Sequence, residues 1–140
     1  MRNALPATRL PADERLENAA YPKPITAPVA GPPPGDRLAR GKYLVGLADC
    51  AGCHTSWYGA RNPGLLAGGN HITRGTHAAF STNITRHASG TGYPTETFIT
   101  VMRTGKGESL SPVMPWAAFR GLRDDDLAAI HEALGSVQPV

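Results

Sequence analysis

The feature that most constrains this 140-residue chain is the segment Cys50-Ala51-Gly52-Cys53-His54. It contains both cysteines of the chain and places a histidine directly after the second. Two thiols at this spacing reach the two vinyl groups of one haem, and the adjacent histidine then lies beneath the iron as its proximal ligand. The segment therefore predicts one covalent haem c held by Cys50 and Cys53, with His54 ligating the iron.

Two other uses of a Cys-x-x-Cys pair remain open at this point. A redox-active or structural disulfide of the thioredoxin kind would need a βαβ context, which the chain does not display. A zinc site would need more ligands than two cysteines supply. Haem attachment is therefore the preferred interpretation.

The composition predicts one domain whose apolar core is small for its length. Hydrophobic residues make up 41% of the chain but aromatic residues only 6%, and a buried haem would fill the space that is left. The 16 glycines and 13 prolines follow no collagen-like period. This favours long ordered loops, few regular elements and little β-structure.

The charge pattern argues against nucleic acid as a partner. The formal net charge is +3, and the basic residues are scattered, without the Lys/Arg runs and interleaved aromatic side chains typical of nucleic-acid binding. No stretch approaches the roughly 20 apolar residues of a membrane helix, and residues 1–20 lack the apolar core of a signal peptide. Because haem attachment to this motif is normally a bacterial periplasmic event, we expect a periplasmic protein from which a signal peptide or anchor has been removed.

Residues 1–35 are rich in proline and are predicted to form an N-terminal arm or linker. Each proline fixes φ and removes a backbone donor, which favours an extended chain. A short helix is expected over residues 12–20. The arm either packs on the domain or acts as a tether, and residues 36–140 form the haem-binding domain.

The first and last helices of this domain are predicted to pack together. Asp36 is a suitable N-cap for the first helix, and Gly41 lies on its apolar face, which indicates that another backbone passes close by. The last helix is the expected neighbour. It begins with the three aspartates at 124–126, where carboxylates suit the helix dipole, and it ends before Pro139.

A third helix is predicted between these two. It begins at Pro94 and stops at Gly105, a residue that commonly ends helices. Residues 55–93 are predicted to be largely loop. Loops of this length are uncommon without a functional reason, and wrapping a haem supplies one.

The second axial ligand of the iron has several candidates. They are Met102, Met114, His71, His77, His87 and His131. Met114 is preferred because the nearby prolines stiffen a loop that could hold its thioether against the haem. Met102 lies on the apolar face of a predicted helix and is assigned to the core, whereas isolated loop histidines are usually surface residues.

Further segments of the chain match a known pattern of motifs. They are Arg40-Gly41-Lys42-Tyr43-Leu44, the cysteine motif through Thr55, Gly68-Gly69, Ser81-Thr82-Asn83-Ile84-Thr85, Phe98 with Met102-Arg103-Thr104-Gly105, and Met114-Pro115-Trp116 through Phe119-Arg120 to Leu127 and Ile130. In these segments and their order, the chain from about Arg37 onward resembles a class I cytochrome c domain. It is most similar to the cytochrome modules of bacterial membrane-bound dehydrogenases that act on alcohols, gluconate and related sugars or aldehydes.

The resemblance implies a fold and a set of haem contacts. The fold is the all-α class I cytochrome c fold, with about three core helices and long loops wrapping one covalent haem in residues 36–140. Met114 is implied as the second iron ligand, and Trp116 as a residue that approaches a haem propionate. The loop of Asn83 and Ile84 is implied to cover the haem.

The predicted function is periplasmic electron transfer, because His/Met ligation fills both axial positions and leaves no open site for substrate. The chain is accordingly predicted not to be an enzyme. Two alternatives stay open: an electron-transfer subunit docked on a dehydrogenase or oxidase complex, and a haem enzyme or gas sensor whose sixth ligand is displaceable. The expected partners are redox proteins, namely a dehydrogenase, an oxidase or another cytochrome, and the chain is expected to be a monomer or weak dimer.

Overall fold

Five helices and one hairpin make up the described part of the computed structural model, which covers residues 26–28, 30–59, 63–107 and 110–140. The elements in chain order are α1 (Arg37–Leu47), α2 (Cys50–His54), β1 (His71–Arg74), β2 (His77–Phe80), α3 (Thr95–Thr104), α4 (Trp116–Phe119) and α5 (Asp124–Gly135). Most of the predicted arm over residues 1–35, including the expected short helix over 12–20, lies outside the described residues. The three predicted core helices correspond to α1, α3 and α5.

Two residues marked in the sequence, Asp36 and Gly41, explain where α1 begins and how closely it packs on α5. Asp36 caps α1, because its side chain accepts a hydrogen bond from the Ala39 N–H at 2.8 Å. Gly41 is buried against α5: a Cβ at this position would overlap the Ala129 carbonyl and lie 2.9 Å from the Ala133 Cβ. The predicted close approach of the first and last helices is therefore confirmed.

Two ion pairs border this helix contact. Arg37 Nε lies 2.9 Å from Glu132 Oε2, and Arg40 Nε lies 2.5 Å from Asp126 Oδ1. The hydrogen bond from Arg40 holds the pKa of the Asp126 carboxyl below its ordinary value. Since both arginine side chains are more than half exposed, these pairs add little to the stability of the contact between α1 and α5.

The core of the domain lies where α3, α4 and α5 meet. Its buried side chains are Leu66, Phe98, Met102, Phe119, Leu127, Ile130 and Leu134. Arg103 of α3 links the three helices, because its guanidinium donates to the carbonyls of Arg120 and Leu122, both at 2.7 Å, and also pairs with Asp124. Within the described residues no helix is both long and apolar enough to cross a membrane.

The hairpin is the part of the fold that departs from the all-α prediction. β1 and β2 pair antiparallel, from His71 with Phe80 to Arg74 with His77, inside the segment predicted to be largely loop. Gly75 has a φ of +58°, which suits the two-residue turn between the strands. Strands of four residues are too short to give a clear alternating pattern in the sequence, so the hairpin could not be predicted from periodicity.

Candidate functional site

The cysteine motif forms its own short helix, α2, because the chain turns sharply at Asp49. Asp49 has a left-handed backbone with a φ of +51°, a conformation that aspartate tolerates better than most residues. Its carboxylate lies over Gly52, where a Cβ would come within 2.6 Å of Oδ1. The turn therefore ends α1 and places both cysteines, Cys50 and Cys53, on one helix with glycine between them.

Both thiols are free, and the surroundings of Cys50 disfavour the thiolate that redox-disulfide chemistry needs. Cys50 is half-buried and packs against the core, and this burial raises the pKa of its thiol to about 11. Reactive cysteines of Cys-x-x-Cys redox motifs instead have lowered pKa values. The zinc alternative also lacks ligands, since no group of three or more His, Cys, Asp or Glu side chains in the described residues is arranged to hold a metal ion.

His54 has one ring nitrogen fixed and the other available. Its Nδ1 lies 2.7 Å from the Thr82 carbonyl oxygen, which can only accept, so Nδ1 carries the proton. Nε2 then carries a lone pair and has no hydrogen-bond partner among the described residues. Burial lowers the pKa of His54, and the bond to Thr82 offsets part of that shift. The ring is a neutral imidazole of the form that ligates metals.

A buried asparagine and a glycine hold the backbone on which His54 sits. The carbonyls of residues 53–55 all accept hydrogen bonds. Asn70 Nδ2 donates to the Cys53 carbonyl at 2.8 Å and to the Thr55 carbonyl at 2.7 Å. The Gly68 N–H donates to the His54 carbonyl at 2.6 Å. Asn70 Oδ1 accepts from the Trp57 N–H at 2.8 Å. The asparagine side chain is completely buried, so the Asn70 end of each of these bonds is out of contact with water.

Sequence reasoning assigned no role to Asn70 or Trp57. Trp57 also donates its indole N–H to the Gly52 carbonyl at 2.7 Å, inside the cysteine motif. The one sequence feature that could have drawn attention to this contact is the glycine pair before Asn70. Gly68 has a φ of +78°, and a Cβ there would lie 2.5 Å from the Ser81 carbonyl oxygen, but a glycine pair does not say what the next side chain binds.

The Asn83 and Ile84 loop lies beside His54, because Thr82 immediately precedes it. Asn83 Oδ1 accepts from the N–H and the hydroxyl of Thr85, both at 2.8 Å, so this side chain shapes its own loop. Ile84 is half-buried and packs on the core. The structure therefore brings this loop and the cysteine motif together.

Met114 lies in a loop that leads into α4, which begins at Trp116, and local hydrogen bonds close this loop. The Ser111 carbonyl accepts from the Met114 N–H at 3.3 Å and from Trp116 Nε1 at 2.9 Å. Both side chains are half-buried and pack on the core. The indole N–H of Trp116 thus supports the Met114 loop from within the protein, and the approach of Trp116 to a haem propionate stays a prediction.

The remaining ligand candidates have other surroundings. Met102 is only 6% exposed in the core, as predicted from its place on a helix face. His131 is buried with both ring nitrogens engaged, by the Thr95 hydroxyl at 3.1 Å and the Thr91 carbonyl at 3.2 Å. The three other candidates, His71, His77 and His87, are exposed. In the described residues no hydrogen bond joins the Met114 loop to His54, although both segments border the same core.

The groups described here fit a haem c. Two free thiols share one helix, one histidine offers an unengaged Nε2, and a half-buried thioether lies in a loop packed on the same core. The half-buried Ile84 and Trp116 add apolar surface that a flat apolar ring system would cover. Neither a disulfide nor a zinc ion would use this combination of groups.

Known proteins with similar sequences were found, although no protein-family model matches the chain. The chain is 37% identical over 110 residues to the fructose dehydrogenase cytochrome subunit of Gluconobacter japonicus. This match covers 74% of the chain. The chain is 36% identical, also over 110 residues and 74% of its length, to the cytochrome c subunit of the quinone alcohol dehydrogenase of Gluconobacter oxydans. The gluconate 2-dehydrogenase cytochrome c subunit of Pantoea cypripedii is 32% identical over 99 residues, or 67% of the chain.

Each of these matches spans 22% of the relative's own length. The matched portion therefore corresponds to one part of a longer cytochrome subunit. The names of these relatives agree with the resemblance drawn from the motifs, and they imply haem c with its iron as the cofactor. The chain belongs to the c-type cytochromes and matches one cytochrome c module of bacterial alcohol, fructose and gluconate dehydrogenases.

Proposed function

We propose that this chain transfers single electrons in the periplasm through one haem c, attached to Cys50 and Cys53 and ligated by His54 and Met114. Residues 36–140 are the monohaem domain, and residues 1–35 are an arm that precedes it. The observation that carries the proposal is the state of His54. Its Nδ1 is committed to the Thr82 carbonyl and its Nε2 has no hydrogen-bond partner in the described chain.

The residues of the chain have separate roles in this proposal. The two cysteines hold the cofactor through thioether bonds, and a haem c supplies a reversible one-electron iron couple when bound. The hydrogen bond from His54 to Thr82 fixes the orientation of the imidazole and increases its basicity as a ligand. A Met/His ligand pair favours a higher reduction potential than two histidines give.

The other predicted residues form the walls of the site. Ile84 contributes half-buried apolar surface, and Asn83 keeps the shape of the loop that carries it. Trp116 closes the loop of Met114 through its bond to the Ser111 carbonyl. These walls exclude water, which lowers the local dielectric and thereby influences the reduction potential.

We propose a dehydrogenase as the partner, because the relatives are cytochrome subunits of fructose, alcohol and gluconate dehydrogenases. These names describe cytochrome subunits, which accords with an electron-transfer role rather than a catalytic one. A mobile carrier and a docked subunit use the same haem chemistry. They differ in how they bind the partner, since transient redox encounters bury less than about 1,200 Å² and are steered by charge.

Potentiometric titration with visible spectra tests the function directly. We expect one reversible one-electron transition with a low-spin spectrum in both oxidation states. Carbon monoxide should leave the ferrous spectrum unchanged if Met114 fills the sixth position. A high-spin ferrous form that binds carbon monoxide rapidly would contradict electron transfer and favour a haem enzyme or gas sensor.

A salt series separates the two kinds of partner interaction. Stopped-flow reduction by the dehydrogenase should slow as ionic strength rises if the chain is a mobile carrier, because exposed charges are screened over about 8 Å at physiological ionic strength. A rate that stays constant, together with co-elution on gel filtration, would instead identify a docked subunit.

A further inference from the structure

We propose that Asn70 is the positioning residue of the haem-attachment motif, fixing the backbone that carries Cys53 and His54. This inference rests on the proposed function, since it concerns the same motif. It goes beyond that function by assigning the geometry of the motif to a side chain that neither binds the haem nor touches the iron.

The hydrogen bonds of Asn70 reach the residues on both sides of His54 in the sequence. Its amide group donates to the carbonyls of Cys53 and Thr55, the residues immediately before and after the histidine, at 2.8 and 2.7 Å. Its oxygen accepts from the Trp57 N–H at 2.8 Å. One side chain thus satisfies three backbone groups of the segment that ends α2.

Asn70 is itself held firmly. Its N–H donates to the Ser81 hydroxyl at 2.9 Å, and its carbonyl accepts from the Ser81 N–H at 2.8 Å. Its side chain is completely buried. Ser81 precedes Thr82, which accepts the hydrogen bond from the His54 ring. The backbone of the histidine and the acceptor of its ring proton are therefore tied to one anchor.

A buried amide is well suited to this task. It offers two donors and an acceptor in one plane, and leaving any of the three backbone partners unpaired in the interior would be costly. An aspartate would keep the acceptor for Trp57 but would direct an oxygen at two carbonyl oxygens. A leucine would fill the space and make none of the bonds. Both substitutions remove the two donors and still fill the space, so they test hydrogen bonding at nearly unchanged packing.

The test compares Asn70→Leu and Asn70→Asp with Asp126→Asn, made in the haem-loaded protein. Asp126 is paired with Arg40 across the contact between α1 and α5, so its variant controls for a general loss of stability. The readouts are the fraction of chains with covalent haem, by intact mass, and the number of ferric low-spin species, by electron paramagnetic resonance. A third readout is the guanidinium dependence of the low-spin form.

Both Asn70 variants should carry less haem and show more than one low-spin species, whereas Asp126→Asn should match the wild type. The equilibrium between the low-spin and ligand-detached forms should shift by about tenfold or more, as expected for one unsatisfied buried group. Full loading and one low-spin species in both Asn70 variants would overturn the inference. Wild-type protein without covalent haem would instead contradict the proposed function.

Amide hydrogen exchange in the wild type keeps the inference testable when the variants yield no protein. The Trp57 N–H, bonded to buried Asn70, should exchange at least about tenfold more slowly than the neighbouring Tyr58 N–H. The Tyr58 N–H donates at 3.2 Å to the Ser56 hydroxyl, in a hydrogen bond that is exposed to solvent. Equal exchange rates at the two positions would show that Asn70 does not hold the motif.

Discussion

The two segments that carry the proposed iron ligands are held in different ways. Residues 53–57, after the second cysteine, are bonded to residues far along the chain, with Asn70 as their buried anchor. Residues 110–116, around Met114, are bonded mainly to one another through Ser111. In the described chain, their one hydrogen bond to a residue outside 107–120 is a long one, 3.5 Å, from Arg74 to the Val113 carbonyl.

This difference indicates which ligand is more easily released. Displacing His54 and its backbone requires breaking several long-range hydrogen bonds together, whereas Met114 can move when its own loop opens. Locally bonded loops with exposed hydrogen bonds belong to the least stable parts of a protein. Mild denaturant should therefore remove Met114 from the iron before His54.

The largest effect on the surroundings of the two ligand-carrying segments is expected at Gly68, which packs closely against the backbone of Ser81. Gly68→Ala would place a methyl 2.5 Å from the Ser81 carbonyl oxygen and would require a left-handed alanine. We expect a loss of about 2–4 kcal/mol in the free energy of unfolding, from overpacking and backbone strain together. Chemical denaturation measures this loss. Gly69→Ala is the matched control, with a φ of +96° but nothing within 4 Å, and should lose about 1 kcal/mol. Equal losses for the two variants would contradict the close packing of Gly68.

The second effect concerns the ligand on the methionine loop. Met114→Ala should abolish the weak far-red charge-transfer band of the ferric protein and lower the reduction potential, because a thioether ligand is lost. Since Met114 is only half-buried, the cost in stability should be about 1–2 kcal/mol.

Met102→Ala is the control for that variant. Met102 is buried in the core, so its truncation should cost more stability, about 2–5 kcal/mol, and leave the far-red band in place. The ligand assignment is wrong if the band disappears in Met102→Ala and persists in Met114→Ala.

A smaller effect is expected for substitutions of the two tryptophans, which support different segments and should therefore differ in their effect on the far-red band. Trp116→Phe and Trp57→Phe each remove one indole hydrogen bond to a backbone carbonyl, of Ser111 and Gly52 respectively. Each should cost about 1 kcal/mol. Only Trp116→Phe should weaken the far-red band on heating, because it alone loosens the loop of Met114. If Trp57→Phe weakens the band equally, the two segments are coupled rather than independent.

The smallest effect is expected for Arg74→Ala. It removes the 3.5 Å bond to the Val113 carbonyl, an exposed contact, and should change the free energy of unfolding by less than about 0.5 kcal/mol. Arg103→Ala, which removes bonds to the Arg120 and Leu122 carbonyls, should cost more. Urea titrations compare the two variants. A comparable loss for Arg74→Ala would mean that the hairpin supports the methionine loop.

The parts of the fold that could be predicted from the sequence are those with local signals. Asp36 marks the start of α1, Gly105 the end of α3, and three aspartates the start of α5. The cysteine motif is also local, since its residues are adjacent. Each of these signals depends on residues within one or two helical turns, so one sequence is enough to see it.

The parts that could not be predicted depend on partners distant in the chain. Asn70 binds the carbonyls of residues 17 and 15 positions earlier, and no short pattern connects an asparagine with such acceptors. The engagement of the Trp116 indole with Ser111 is closer in sequence, but it depends on the exact path of a loop with proline at 112 and 115. The arrangement of an irregular segment is fixed by its tertiary contacts, which periodicity does not report.

The most direct test of the central claim is the intact mass of the purified protein under denaturing conditions, with Cys50→Ala/Cys53→Ala as the control variant. The account predicts the mass of the chain plus one haem for the wild type, retained after acid-acetone extraction, and the bare chain mass for the variant. A wild-type protein at the bare chain mass, with its colour in the organic phase, would contradict covalent attachment at this motif.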